Sequence, residues 1–291
     1  MLQDFKLLVL GGDLRTAKMA ESLARDGYET LAFATANSDD KSFVKKCQTL
    51  QEGVKKADFI ILGLPCTRDD ETIEAPFYQG EIRFSELFKL MDEGKYLIAG
   101  KVGEKVQMEA KEYGIHVIDY FEREELTVLN AIPTAEGAVE IAMRELPITI
   151  HGSKSLVLGF GRVGKLMAKT LSALGSFVTV AARKHEDLAW ISAYSYKGVR
   201  FSNLFEALPL QDIIINTVPA KVLGRKELSC LKKDCLVIDL ASKPGGVDFD
   251  AAKELGIKVI WALSLPGKVA PVTAGEIIKG TVINILQELG V

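Results

Sequence analysis

With 291 residues, 48% of them hydrophobic and 26% charged, the chain can bury at least one full core and is long enough for two, which excludes disorder, collagen and coiled coil. Lys+Arg 36 against Asp+Glu 39 leave a net charge of -3, so no overall basic field exists for nucleic acid or an anionic membrane surface, and neither partner is expected. No run reaches the ~18 continuous apolar residues of a membrane helix, and the start passes directly into a strand pattern without a signal-peptide layout, which points to the cytoplasm. The four cysteines (Cys47, Cys66, Cys230, Cys235) and three histidines (His116, His151, His185) lack the spacing of a metal site. No metal is expected, and the thiols read as reduced.

Short runs rich in Val, Ile and Leu alternate with helix-like segments, as in a parallel sheet covered on both faces. In chain order they are Lys6–Leu10, Glu29–Phe33, Phe59–Leu64, Tyr96–Ala99 and Ile115–Ile118, then Ser155–Leu158, Phe177–Ala181, Ile213–Val218, Leu236–Leu240 and Lys258–Trp261. The two sets resemble each other. Glycine opens the first turn at Gly11 and at Gly159, and Ala110–Ile118 matches Ala252–Ile260 at seven of nine places. The reading is α/β: two doubly wound parallel-sheet, Rossmann-like domains, over residues 1–130 and 131–271. The boundary stretch between Asp119 and Ser153 carries a hinge helix at about 134–146, with Thr134 at its start behind Ile132-Pro133 and Glu136 in its first turn. A C-terminal crossover helix at about 272–291 packs back on the first domain, and a cleft is expected between the domains.

The strongest chemical signal is Gly159-Phe160-Gly161-Arg162-Val163-Gly164, which follows a strand and opens a helix at Val163–Leu174, the context of a dinucleotide fingerprint. The first glycine makes a tight turn, the second admits a pyrophosphate to the backbone, and the third lets helix and strand pack closely, while the helix N-terminus supplies amide donors. At the end of the next strand, where an NAD enzyme carries an acid for the ribose 2′-hydroxyl, this chain reads Ala182-Arg183-Lys184. Two cations without an acid suit a 2′-phosphate, so the expected cofactor is NADP. Thr217, Val218 and Pro219 stand at the C-terminal end of one strand and Ala241 and Ser242 at that of another, the edge where ligands of parallel sheets lie. In the first half, Gly11-Gly12-Asp13 keeps only part of the phosphate motif and places an acid there; with Arg15 it suits either a small carboxylate or a plain helix cap.

Together these segments resemble the family of the dipicolinate synthase A subunit. The resemblance is carried by Leu10–Arg15, Phe121-Glu122-Arg123, Asn130–Gly137, Thr149-Ile150-His151-Gly152-Ser153, Asn216–Pro219, Asp239–Phe249 and Leu265–Gly275, and spans most of the chain, with little recognisable over residues 35–84. It implies an NADP-linked oxidation of a dihydrodipicolinate-type intermediate of lysine biosynthesis to pyridine-2,6-dicarboxylate. It also implies action with a flavoprotein-like B subunit, in the cytoplasm of the mother cell of a sporulating bacterium, with homo-oligomers an option.

The substrate would be a dianion, the cofactor would accept a hydride, and a base must take a ring proton. Arg15, Thr134, Lys243 and Thr273 are the candidate carboxylate-binding residues. His151, whose ordinary pKa of ~6.5 suits proton transfer, and Glu136 are the candidate bases. Two other functions fit the same layout: a self-sufficient NADP dehydrogenase of a small hydroxy, amino or keto acid, and an NADP-binding redox sensor without turnover.

Overall fold

A computed structural model describes residues 5–36 and 43–291. The elements run β1 (Lys6–Leu10), α1 (Leu14–Arg25), β2 (Glu29–Phe33), β3 (Lys45–Lys46), α2 (Leu50–Lys56), β4 (Phe59–Leu62), α3 (Phe84–Leu90), β5 (Tyr96–Ala99), α4 (Glu104–Glu112) and β6 (His116–Asp119). Helix α5 (Glu124–Glu145) leads to β7 (Lys154–Leu158), α6 (Arg162–Ala173), β8 (Phe177–Ala182), α7 (His185–Ala193), β9 (Lys197–Arg200), α8 (Leu204–Ala207) and β10 (Ile213–Asn216). The chain closes with α9 (Arg225–Ser229), β11 (Leu236–Asp239), α10 (Phe249–Leu255), β12 (Lys258–Trp261), α11 (Leu265–Val269) and α12 (Pro271–Glu288).

Two compact units result, residues 1–130 with 266–291, and residues 131–265, so that residues 266–271 fall with the first unit rather than the second. Among the described residues each holds a parallel sheet of six strands, ordered β3-β2-β1-β4-β5-β6 and β12-β11-β10-β7-β8-β9. The architecture is α/β with two Rossmann-like units. The central strands are buried on both faces, which is why they read as unbroken apolar runs such as Phe59-Ile60-Ile61-Leu62 and Ile213-Ile214-Ile215.

The sixth strand of each sheet, β3 and β9, escapes a search for apolar runs. Both are edge strands made of charged or small residues, Lys45-Lys46 and Lys197-Gly198-Val199-Arg200, the composition that keeps a sheet edge from pairing with another chain.

The repeat Ala110–Ile118 and Ala252–Ile260 is one helix ending built twice. Ile115 and Ile257 donate to the carbonyls of Ala110 and Ala252, both at 2.9 Å, and Gly114 and Gly256 both sit at φ +67°, completing the glycine-ended cap.

The helix expected to start at Thr134 starts ten residues earlier, at Glu124, and runs through Pro133. An interior proline costs ~3 kcal/mol. Burial on both sides of it offsets that cost: Leu126 lies in the core of the first unit, and Ala135, Ala138, Val139 and Ala142 in that of the second. Thr134 is therefore not a helix cap, and Glu136 lies in the helix interior.

In the first unit α12 packs along α1, with Ile278, Val282 and Ile285 joining Met19, Ala20 and Leu23 in one core. Gly275 makes this close approach feasible, because a side chain there would meet the Arg15 carbonyl at 2.7 Å and the Met19 amide nitrogen at 2.9 Å. Among the described residues no helix is long and apolar enough to cross a membrane.

Candidate functional site

In the second unit β7 delivers the chain to Gly159, whose amide donates to the Ala181 carbonyl at 2.9 Å. Gly159 holds φ +95°, and a side chain there would meet Thr217 Oγ1 at 2.7 Å and Val218 Cγ2 at 3.0 Å. At Gly164 a Cβ would lie 2.2 Å from the Gly159 carbonyl oxygen, so the turn and helix α6 close on each other only because both positions are glycine. Gly161 is the opposite case. It is exposed at the N-terminus of the 12-residue helix α6, with nothing within 4 Å of where its Cβ would stand. A tight turn, an open helix start and a close-packed third glycine are what a dinucleotide pyrophosphate requires, and these residues fit it. Phe160 contributes main chain only, because its side chain is buried in the core. Exposed Arg162 and half-buried Val163 form the first turn of α6 beside the opening.

The loops beside this cradle are set by a buried pair whose members open two of the segments singled out in the sequence but whose pairing only the fold shows. Strands β10 and β11 end in register at Asn216 and Asp239, and Asn216 Nδ2 donates to Asp239 Oδ1 at 2.7 Å with both side chains wholly buried. Asn216 also bonds both main-chain groups of Val218 at 3.1 Å, and Asp239 accepts the amides of Ala241 at 3.0 Å and Gly246 at 2.8 Å. In the sequence each is a polar residue ending an apolar strand.

Thr217 and Ala241, expected beside the cofactor, are also engaged with the protein. The Thr217 hydroxyl donates to the Leu158 carbonyl at 2.8 Å; the Ala241 amide serves Asp239, and its carbonyl accepts Trp261 Nε1 at 2.9 Å. Both residues shape the loops, leaving Pro219, Ser242 and Lys243 exposed at the rim and Val218 half-buried.

Beyond β8 the two cations have different surroundings. Lys184 donates to Glu186 at 3.0 Å, and that bond raises its pKa, so its charge is already partnered. The Arg183 guanidinium lies 5.7 Å over the ring of Phe201, at the end of the neighbouring strand β9.

The candidate bases lie at opposite edges of the second sheet. His151 sits on the turn before β7, its imidazole against Gly175, at the end of the sheet where β7 begins. The glycine turn lies at the other end of that five-residue strand, roughly 16 Å away at ~3.3 Å per residue. This corrects the expectation for His151: it faces the wrong edge of the sheet. Helix α5 runs antiparallel to β12, since Glu145 bonds Lys258 at the start of that strand while Gly137 touches Leu265 beyond its end. Exposed Glu136 and half-buried Thr134 are therefore level with the glycine turn's edge, although neither starts a helix.

Arg15 and Thr273 belong to the first unit. Arg15 is 4% exposed, and its Nε and Nη2 bind Asp13 at 2.7–3.0 Å while Nη2 also donates to the Leu64 carbonyl. A side chain at Gly267 would meet its Nε at 2.9 Å. Arg15 is thus a buried clamp and not an open carboxylate anchor, which corrects that expectation too. Thr273 is exposed in the first turn of α12.

Residues 6–121 match the N-terminal domain of the dipicolinate synthase A subunit, and residues 134–251 match the NAD-binding domain of D-isomer specific 2-hydroxyacid dehydrogenases. The chain is 32% identical to the dipicolinate synthase A subunit of Bacillus subtilis (strain 168), over 99% of this chain and 98% of that one. The chain belongs to the family of the dipicolinate synthase A subunit. The crystal structure of the family member from Bacillus halodurans has a TM-score of 0.89 and 30% identity, covering 98% of this chain and 99% of that one. A transhydrogenase from Sinorhizobium meliloti, 16% identical with a TM-score of 0.73 over 97% of this chain and 94% of that one, shares the fold. The chain is an oxidoreductase whose second unit is its nicotinamide-dinucleotide-binding domain.

Proposed function

We propose that this chain is the NADP-dependent component of a two-component dipicolinate synthase, oxidising a dihydrodipicolinate-type dicarboxylate to pyridine-2,6-dicarboxylate together with a flavoprotein-like B subunit. Its setting is the cytoplasm of the mother cell during sporulation. The family membership supports the reaction class, and one observation carries the choice of cofactor: strand β8 ends at Ala182 and the next residue is exposed Arg183 rather than an acid. A 2′-hydroxyl calls for an acceptor at this position and a 2′-phosphate for a forked donor.

Bound NADP supplies the hydride acceptor. The residues of the chain do the rest. The amides opening α6 hold the pyrophosphate, while Gly159 and Gly164 keep the turn closed. The Asn216–Asp239 pair holds the loops of Val218-Pro219 and Ala241-Ser242 in one arrangement, the pre-organisation a reacting site needs. Lys243 offers an exposed cation for a substrate carboxylate, Thr134 a hydroxyl, and Glu136 takes the ring proton that leaves as the hydride departs, completing the two-electron oxidation.

Spectrophotometric dipicolinate formation, with NADP or NAD and with or without the B subunit, tests this reading. Product with NADP and both components is expected. Product from this chain alone would establish a self-sufficient dehydrogenase, and cofactor binding with no product under any condition would leave a redox sensor. The variant Glu136→Gln is expected to keep cofactor affinity within about twofold while turnover falls on the order of 100-fold. Unchanged turnover would remove Glu136 from the reaction.

A further inference from the structure

The cofactor reading rests on Arg183, an exposed and flexible side chain whose position must be fixed by something else. Its neighbour Lys184 pairs with Glu186 rather than with Arg183's surroundings. What lies under Arg183 is the ring of Phe201, with the guanidinium carbon 5.7 Å from the ring centroid. Phe201 is itself anchored: it packs against the core formed by Leu204, Leu208 and Val237 on one face of the second sheet. Strand β9 places it there, because Ala182 and Arg200 are register partners, so the residues that follow them, Arg183 and Phe201, leave adjacent strands at the same edge.

We propose that Phe201 is a specificity-determining residue for the cofactor, acting as a positioning residue for Arg183. A guanidinium over an aromatic face keeps its edge free, and the edge carries the forked donors that meet a phosphate. The ring thus holds the fork in reach of the adenosine ribose before the cofactor arrives, reducing the side-chain entropy lost on binding. Without a 2′-phosphate the arrangement gains nothing, so Phe201 discriminates between the two dinucleotides although it touches neither phosphate. Replacement of a phenylalanine at the end of a polar edge strand would then act on NADP alone.

This inference rests on the NADP reading, and titration of the full chain separates the two. Intrinsic fluorescence is followed with NADPH, NADH, 2′,5′-ADP and 5′-AMP for wild type, Phe201→Leu, Phe201→Tyr, Arg183→Gln and the double variant Phe201→Leu/Arg183→Gln. Wild type is expected to prefer NADPH over NADH and 2′,5′-ADP over 5′-AMP. Phe201→Leu weakens NADPH and 2′,5′-ADP about two- to fivefold, the size of an exposed cation–ring contact, and leaves NADH and 5′-AMP unchanged. Phe201→Tyr restores the preference, and Phe201→Leu adds nothing once Arg183 is Gln. If wild type shows no preference for the 2′-phosphate, the cofactor reading itself has failed, and this inference with it. If wild type shows the preference but Phe201→Leu keeps it, loses NADH equally, or costs as much in the Arg183→Gln background, the positioning role is overturned while the cofactor reading stands. Far-ultraviolet circular dichroism confirms that each variant is folded, and Phe201→Met replaces the leucine variant if that one is not.

Discussion

The two units build the same glycine turn in opposite surroundings. In the second, Gly161 opens to solvent at the start of α6. In the first, the matching turn is already filled by the chain: Gly12 donates to the Glu74 carbonyl at 2.7 Å, and a side chain at Gly11 would meet that same oxygen at 2.7 Å. Asp13 stands where the second unit has Gly161; it caps α1 through the Arg15 amide at 3.0 Å and binds the Arg15 guanidinium. A segment of main chain, a carboxylate and a buried guanidinium occupy the place a pyrophosphate takes in a nucleotide-binding unit. One βα turn can thus be a ligand site or a structural clamp, and the decision lies with three or four residues around it, not with the fold.

The sharpest way to break this comparison is to give the second unit the acid of the first. Gly161→Asp has room for its side chain and supplies an N-cap no worse than glycine, so thermal stability is expected to hold or rise slightly. The carboxylate would stand against the pyrophosphate, and two like charges about 4 Å apart at an effective dielectric near 20 repel by ~4 kcal/mol, or about 1,000-fold in affinity. Unchanged NADPH affinity by fluorescence titration would show that this turn is not the cofactor site.

Next in size is the contrast between two acids that organise loops. Asp239 is fully buried, with Asn216 and two amides as partners; Asp119 in the first unit accepts the amides of Lys101, Val102 and Phe121 but is only half-buried. Urea unfolding should show Asp239→Ala costing about 3 kcal/mol, since a buried partner is left unsatisfied, and Asp119→Ala about 1 kcal/mol. Equal costs would mean that burial does not separate them.

These contrasts also mark how much is legible in the sequence. The ten apolar strands, the fingerprint and the paired helix endings are local patterns of apolar runs and glycines, and they read directly. What does not read depends on partners distant in sequence. Nothing near Arg15 announces that Leu64 and Gly267 enclose it. Pro133 suggests a helix start only while local preference is weighed without the burial on both sides of it. His151 is near the fingerprint in the chain, but five residues of strand carry it to the other edge of the sheet. Phe201 follows an edge strand too polar to be recognised.

A buried thiol in each unit reports whether the comparison extends to stability. Burial pushes both Cys66 and Cys235 up to about 12. Against an unfolded value of ~8.5 this favours the neutral thiol, so the stabilisation is complete below that value and is lost as pH rises through the alkaline range toward the folded one. At pH 8 in mild urea, each should be alkylated only when its own unit opens. NADPH at about ten times its Kd is expected to slow labelling of Cys235 about tenfold and to leave Cys66 unchanged. Equal slowing of both would show that the units open as one.

The smallest effect tests how the two turns close. In the second unit a hydroxyl reaches the turn from the loop, as Thr217, and the helix side is Gly164; in the first the helix side is Thr16 and the loop side Gly63. Each pair has one threonine and one glycine, on exchanged sides. Gly63→Thr brings a Cβ to 2.7 Å from Gly12 Cα and 2.9 Å from Thr16 Oγ1, overpacking that should cost about 1–3 kcal/mol. Adding Thr16→Gly removes the second contact and converts the first turn to the arrangement of the second. The double-mutant cycle by urea unfolding should therefore show the pair about 1 kcal/mol less destabilised than the sum of its singles. Strict additivity would mean that the two sides do not compete for one space, and that the exchange of threonine and glycine between the units carries no packing logic.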